Sequence, residues 1–335
     1  MNKSNFFSSN HYLFLPTRND PKVALAVDSC LLSKKSFKLY NPFSASGKLL
    51  KKICYFSFYN FNFIFKLIFA VKKDKGDFMI FLEKKLNRSL TSSLYFSTIK
   101  DKIVIQLKTS ESEIIGYLKY PLNKIGIQHI ESERNAIDIL NNNKIIDNYL
   151  LYDNFNGLPF ILLSPLEGEI AEIGQQELTE LLLKFIRKQR YTLTNHPRII
   201  GLIQSLKINN LQNFIPLLQE ISKNSIHQYN LVYEHGDFTP WNIVKVDNSY
   251  VPFDFEYFVA DGIEYFDLIK YYYQIGRLLN NLNGKELFDF IATNINELEI
   301  NKLIQLFLIK EILIRKEHGQ IYDFEEGFLE TIINC

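Results

Sequence analysis

The sequence predicts an α+β chain in which strands dominate the first half and helices the second. Three observations predict it. Strand-like apolar runs at 94–96, 103–107, 114–120, 148–153 and 158–163 are interrupted by a single helical rhythm, Ile130, Arg134, Ile137 and Leu140. Beyond residue 180 helical spacing prevails, at 181–185, at 266–279 and through Ile300, Leu303, Ile304, Phe307 and Leu308. Between these helical stretches lies 231–256, LVYEHGDFTPWNIVKVDNSYVPFDFE, which gathers His235, Asp237, Asn242, Asp254 and Glu256 into two short polar clusters.

The spacing inside that segment is that of a strand, a loop and a hairpin. Residues 231–233 are an apolar run, after which His235-Gly236-Asp237 breaks into a loop. Pro240 lacks an N–H and fixes φ, so it is expected to keep that loop from becoming helix. Ile243, Val244 and Val246 resume a strand pattern, Asp247-Asn248-Ser249 signals a turn, and 250–253 returns. Read this way, the hairpin brings Asn242 at its entry close to Asp254 at its exit. One amide and up to two carboxylates would converge, a hard oxygen set that suits Mg²⁺ with retained waters and substrate phosphates. Asp237, five residues before Asn242, sits on the loop where a base can meet an acceptor hydroxyl.

HGDFTPWN followed by DFE resembles the catalytic loop and metal-binding motif of the aminoglycoside phosphotransferase and choline kinase family, whose fold is protein-kinase-like. The resemblance covers about residues 94–335 and is strongest over 231–268. It implies a bilobal fold with a small β-rich N-lobe and a mostly helical C-lobe. It also implies that Asp237 is the catalytic base, that Asn242 and Asp254 bind Mg²⁺ with Glu256 beside them, and that His235 organises the loop. Downstream, Asp267 corresponds to an acid heading a C-lobe helix, with a structural and a catalytic role both open to it. Glu256, Asp261 and Glu264 are candidates for the acceptor pocket.

Such a fold makes demands upstream, because phosphoryl transfer is mainly positioning and charge neutralisation. It needs a strand lysine for the donor phosphates and a helix glutamate to hold it. Lys119 lies near the end of the 114–120 run, and the helix beginning near Ile130 places Glu133 opposite it, with Glu131 as the alternative. The hairpin that would cover the phosphates has Ser97-Thr98-Ile99-Lys100-Asp101-Lys102 at its tip and no glycine, a departure from the protein-kinase pattern. Next, Asn154-Phe155-Asn156-Gly157 is a hairpin signal. The segment Ser164-Pro165-Leu166-Glu167-Gly168 comes after it as an extended linker, where the backbone of Ser164 to Leu166 would contact adenine.

Length and composition agree with an enzyme of this kind. A chain of 335 residues buries a large core, and a net charge of +1 gives no general attraction to nucleic acid. Cys30, Cys54 and Cys335 are odd in number and lack metal-site spacing, so a reducing compartment is expected. Residues 1–93 are set apart as an N-terminal extension, followed by 94–166 as N-lobe and 167–335 as C-lobe. Within the extension, ICYFSFYNFNFIFKLIFAV at 53–71 is long enough to span a bilayer, but Ser57, Asn60, Asn62 and Lys66 interrupt it. It reads first as a buried packing segment, with peripheral membrane contact as the alternative. A loose likeness of this region to phosphotransferase-like proteins of bacterial surface-polysaccharide loci tilts the acceptor towards sugars.

The expectation is therefore a cytoplasmic phosphotransferase, with membrane association as the alternative, using ATP and Mg²⁺ with GTP as the alternative donor. It would phosphorylate a hydroxyl of a small molecule or saccharide. The competing expectations are a pseudokinase-like nucleotide-binding scaffold and a membrane-associated assembly factor. No feature of the sequence fixes an oligomeric state.

Overall fold

A computed structural model describes residues 3–42, 44–97, 100–148 and 151–334. The chain divides into two compact units, one of residues 1–134 and 147–165, the other of residues 135–146 and 166–335.

The first unit is built on a sheet whose strands run β1 (His11–Pro16), β2 (Pro21–Ala26), β3 (Val71–Lys72), β4 (Thr91–Phe96), β5 (Lys102–Lys108), β6 (Ile114–Pro121), β7 (Leu151–Phe155) and β8 (Leu158–Leu163). Their spatial order is β3-β1-β2-β4-β5-β6-β8-β7, with antiparallel neighbours throughout. Residues before 93 thus contribute strands to the same sheet as the expected N-lobe. Helices α1 (Cys30–Ser36), α2 (Ala45–Asn60), α3 (Asn62–Phe69) and α4 (Asp77–Leu86) fill the chain between β2 and β4. Two apolar clusters result. Phe78, Met79 and Leu82 of α4 pack with Leu94, Ile105, Leu118 and Phe160 of the sheet. The inner faces of α2 and α3, including Phe58 and Phe65, pack with Leu13, Leu15, Val23 and Leu25.

Two turns carry sequence logic. Asn156 (φ 51°) and Gly157 (φ 77°) close the two-residue β7–β8 hairpin, both in the left-handed region that Asn-Gly supplies at low cost. Helix α5 (Lys124–Asn142) starts six residues before the rhythm first legible at Ile130. Asn123 explains the difference: its side chain accepts from the Gly126 amide at 2.9 Å and caps the helix just past Pro121. Of the expected phosphate-covering tip, Thr98 and Ile99 lie outside the described residues, as do Tyr149 and Leu150 at the start of the hinge hairpin.

The second unit is mostly helical: α6 (Gln175–Leu183), α7 (Pro197–Ile208), α8 (Ile215–Asn224), α9 (Phe266–Gln274), α10 (Gly284–Asn294), α11 (Ile300–Glu317) and α12 (Asp323–Ile333). A three-stranded sheet, β13 (Val259–Ile263), β10 (Gln228–Glu234) and β9 (Ile186–Thr192), and the β11 (Ile243–Val246)–β12 (Ser249–Pro252) hairpin complete it. One core joins these pieces, with Phe238, Phe255, Phe266, Ile269, Tyr273 and Phe307 at its centre.

Candidate active site

The loop after β10 is held from several directions at once. Gly236 has φ 81°, and a Cβ there would stand 2.2 Å from the Tyr257 carbonyl oxygen, so only glycine fits between His235 and Asp237. The amides of His235 and Gly236 donate to the two oxygens of Asp267 at 2.7 and 3.0 Å. Asp267 stands in the first turn of α9 and fixes the loop backbone through these two bonds. Burial raises its carboxyl to about 7, the Glu234 carboxylate adds to that, and the two amides pull the other way.

His235 is fully buried, and its Nε2–H donates to the Phe253 carbonyl at 2.9 Å. That bond leaves Nδ1 as the acceptor for the Asp237 amide at 3.4 Å. Its ring lies 4.5 Å from that of Phe255, centroid to centroid. Burial lowers its pKa against the opposing effect of Asp237, so the imidazole works as a neutral clamp. It ties the loop to the end of the β11–β12 hairpin.

Asp237 stays partly exposed. Its Oδ2 accepts from the Asn242 amide nitrogen at 3.0 Å, and the same nitrogen donates to the Asp237 carbonyl at 2.9 Å. With its NH₂ turned to Asp237, Asn242 offers its oxygen as a ligand atom. The sequence expectation for Pro240 needs correcting here: Pro240 opens a short 3₁₀ turn, Pro240–Asn242, instead of excluding helical backbone. Proline at the first position of such a turn forgoes no hydrogen bond, because that N–H would have no partner in the turn. The turn delivers Asn242 back to Asp237.

The hairpin then returns the chain as expected. Ile243 pairs with Pro252, and the Phe253 amide donates to the Asn242 carbonyl at 3.0 Å. Asp254 comes immediately after with φ 69°, a left-handed backbone uncommon outside glycine, asparagine and aspartate and frequent at functional sites. Glu256 comes two residues later and is partly buried. The other two acids considered for an acceptor pocket are engaged within the fold. Glu264 accepts from the Asn230 amide and side chain, both at 2.8 Å, and Asp261 pairs with Arg187 at 3.1 Å.

Sequence reasoning missed the charges beneath this loop. Lys270 of α9 stands 3.4 Å from Asp237 Oδ1 and 2.6 Å from Glu311 Oε2 of α11. Glu311 also lies 3.4 Å from Lys310, which reaches Glu234 at the end of β10 at 2.9 Å. Asp237, Lys270, Glu311, Lys310 and Glu234 therefore alternate in sign, the last four of them buried. Burial alone would lower the Lys270 pKa, but Glu311 and Asp237 raise it above the ordinary value, so the ammonium persists. Glu311 resists burial in the same way and is held low by Lys270 and Lys310. The available signal was a lysine amid the apolar and aromatic residues of FDLIKYYYQ, one α-turn after Asp267.

In the first unit the expected lysine–glutamate pair forms. Lys119 of β6 donates to Glu133 Oε1 of α5 at 2.7 Å, and both are buried. Glu131, the alternative, accepts from the Tyr152 hydroxyl at 2.5 Å instead. Ser164 and Leu166 lie in a stretch without regular secondary structure, and the boundary between the units falls between Pro165 and Leu166.

A β-rich unit with a strand lysine clasped by a helix glutamate, and a mostly helical unit with a pinned loop and hairpin, are consistent with the bilobal kinase-like fold expected from the sequence. No protein-family profile matches the chain, and no curated protein matches it by sequence. Among solved structures it is similar to an ethanolamine kinase of Plasmodium vivax, at 15% identity and TM-score 0.46, over 92% of this chain and 94% of that one. It is also similar to an aminoglycoside phosphotransferase of Streptomyces rimosus, at 14% identity and TM-score 0.44, over 71% of this chain and 98% of that one. At these identities and TM-scores neither likeness bears on activity, which has to be argued from the geometry of the site.

Proposed function

We propose that the chain is a phosphotransferase that moves the γ-phosphoryl group of ATP to a hydroxyl of a small molecule or saccharide. The observation that carries the reading is Asp237: a carboxylate left partly open to solvent while Asn242 and Lys270 hold both its oxygens. A base needs that combination of fixed direction and access to an acceptor.

In this reading Asp237 orients the acceptor hydroxyl and takes its proton as the oxygen attacks phosphorus. The bond from the γ-phosphorus to its bridging oxygen breaks, and the nucleoside diphosphate carries away that electron pair. His235 and Asp267 act through the backbone, keeping the Asp237 main chain from turning away. Lys119, held by Glu133, positions donor phosphates, and the backbone of Ser164 to Leu166 meets the base. The oxygen of Asn242 with the carboxylates of Asp254 and Glu256 is a hard donor set that fits Mg²⁺. A bound Mg²⁺ would neutralise charge developing on the phosphates. GTP is the alternative donor, since backbone recognition at the linker leaves base preference open.

The test is a metabolite screen. Full-length protein with ATP or GTP and Mg²⁺ is offered sugars, amino alcohols, choline and aminoglycosides, and products are read by mass for added phosphoryl groups. Nucleotide-dependent phosphorylation of a hydroxyl compound is expected. Nucleotide binding without any phosphorylated product across the screen would replace this reading with that of a scaffold.

A further inference from the structure

The segment 53–71 does not behave as the buried packing element the sequence first suggests. It forms parts of α2 and α3, broken at Phe61, and its inner and outer faces are both apolar. The inner face is accounted for by the cluster around Phe58 and Phe65. The outer face is not: Phe63 is 71% exposed, Leu67 65%, Phe56 61%, and Leu49, Ile53, Ile64 and Ile68 are each more than half exposed. A helix apolar on all sides ordinarily has an apolar neighbour on all sides. Isolated exposed leucines need no explanation, but a contiguous group of this size marks a contact surface.

Two of the polar residues that interrupt the segment in the sequence, Asn62 and Lys66, turn towards the protein in the structure. Asn62 is buried and donates to the Val27 carbonyl at 3.0 Å and to Ser33 Oγ at 3.1 Å, pinning the elbow between the helices. Lys66 sends its ammonium to the Asp28 carbonyl at 3.2 Å, towards the protein. The side of α3 that faces outward is left to Phe63, Ile64, Leu67 and Ile68.

Charge selects the occupant. From Asp28 to Asp74 the sequence holds nine lysines and no acidic residue between those two aspartates. Lys48 and Lys52 adjoin Leu49, Ile53 and Phe56 on α2, and both lysines are exposed. Lys34 extends over the ring of Tyr59, and Arg18 donates to the Phe69 carbonyl at the end of α3. A protein partner or a second copy would have to supply the missing acids, and this basic region of the chain has none to offer a copy of itself. An anionic bilayer supplies them everywhere. Neither α2, of 16 residues, nor α3, of 8, reaches the roughly 20 residues that span a hydrocarbon core. Among the described residues no helix is long and apolar enough to cross a membrane.

We propose that the outer face of α2 and α3 docks on an anionic phospholipid surface, with the aromatic and aliphatic side chains in the headgroup boundary and the lysines among the phosphates. This does not rest on the phosphotransferase reading. The test is co-sedimentation of the full chain with phosphatidylcholine vesicles, with and without about a third phosphatidylglycerol. At least about tenfold tighter binding to the anionic vesicles is expected, weakening as salt shortens the screening length. Phe63→Asp with Leu67→Asp should abolish it, and Lys48→Glu with Lys52→Glu should weaken it about tenfold while leaving the apolar face in place. Both variants change residues of the outer surface, so an unaltered thermal unfolding transition should accompany each. No binding to either vesicle, or equal binding to both, overturns the proposal. So does a concentration-dependent dimer in sedimentation velocity that Phe63→Asp with Leu67→Asp dissolves, since a second copy would then cover the face.

Discussion

The loop at 235–242 and the helices at 45–69 break the usual rule of partition in opposite directions. The loop rests on buried charge: Glu234, Glu311, Lys310 and Lys270 lie almost fully out of water beneath Asp237. The helices hold bare apolar side chains in water, with the buried Asn62 turned inward. In the first region each buried charge meets an opposite one within 3.4 Å, so desolvation is offset by pairing. In the second, nothing among the described residues covers the exposed face. The difference teaches what each region is for. In the readings proposed here, paired buried charge makes a rigid support for Asp237, whereas the uncovered apolar surface is a docking face.

That contrast can be broken by experiment, most forcefully in the charge network. Lys310→Met would leave Glu234 with only the Arg198 guanidinium, 4.0 Å away, and take one cation from Glu311, so a loss of about 3 kcal/mol is expected in urea unfolding. An unchanged unfolding midpoint would mean the pairing supports nothing. Lys119→Met should lower kcat/KM for the nucleotide by roughly one to three orders of magnitude, with Glu133→Gln intermediate, because the glutamate acts only through the lysine. Equal effects on the two would deny that ordering.

Lys108 sharpens the comparison from the other side. It is fully buried in β5 and bonded to two neutral groups, Ser93 Oγ at 2.8 Å and Gln106 Oε1 at 3.0 Å. Burial lowers its pKa from 10.5 to about 7. The folded state therefore binds fewer protons than the unfolded one between about pH 7 and 10.5, and this group's contribution to stability improves as pH rises through that window. Lys108→Met should be more stable than the parent near pH 7 by on the order of 4 kcal/mol, the gap closing towards about pH 10. A gap independent of pH would show that the lysine is charged in the fold.

Legibility in the sequence tracks the range of each interaction. HGDFTPWN and DFE could be read because their geometry is local: a glycine turn, a 3₁₀ turn and a hairpin bring His235, Asp237 and Asn242 together within eight residues. Lys119 and Glu133 were legible because strand and helix adjoin in sequence, although the helix start was misplaced for want of recognising Asn123 as its cap. Lys270, Glu311, Lys310 and Glu234 were not, since their pairing spans up to 76 positions and no periodicity encodes it. The direction in which 53–71 faces was illegible for another reason. Phenylalanine and isoleucine look the same to composition whether they meet a core or water, and only the turning inward of Asn62 and Lys66 reveals which.

The central claim is that Asp237 is the base of a phosphoryl transfer. It is tested most directly by steady-state rates of Mg²⁺-dependent nucleotide consumption with the acceptor found in the screen, for the parent chain and for Asp237→Asn, which keeps the shape of the side chain. We predict a fall in kcat of roughly 10³-fold or more with nucleotide binding retained. A variant that turns over at the parental rate would contradict the account.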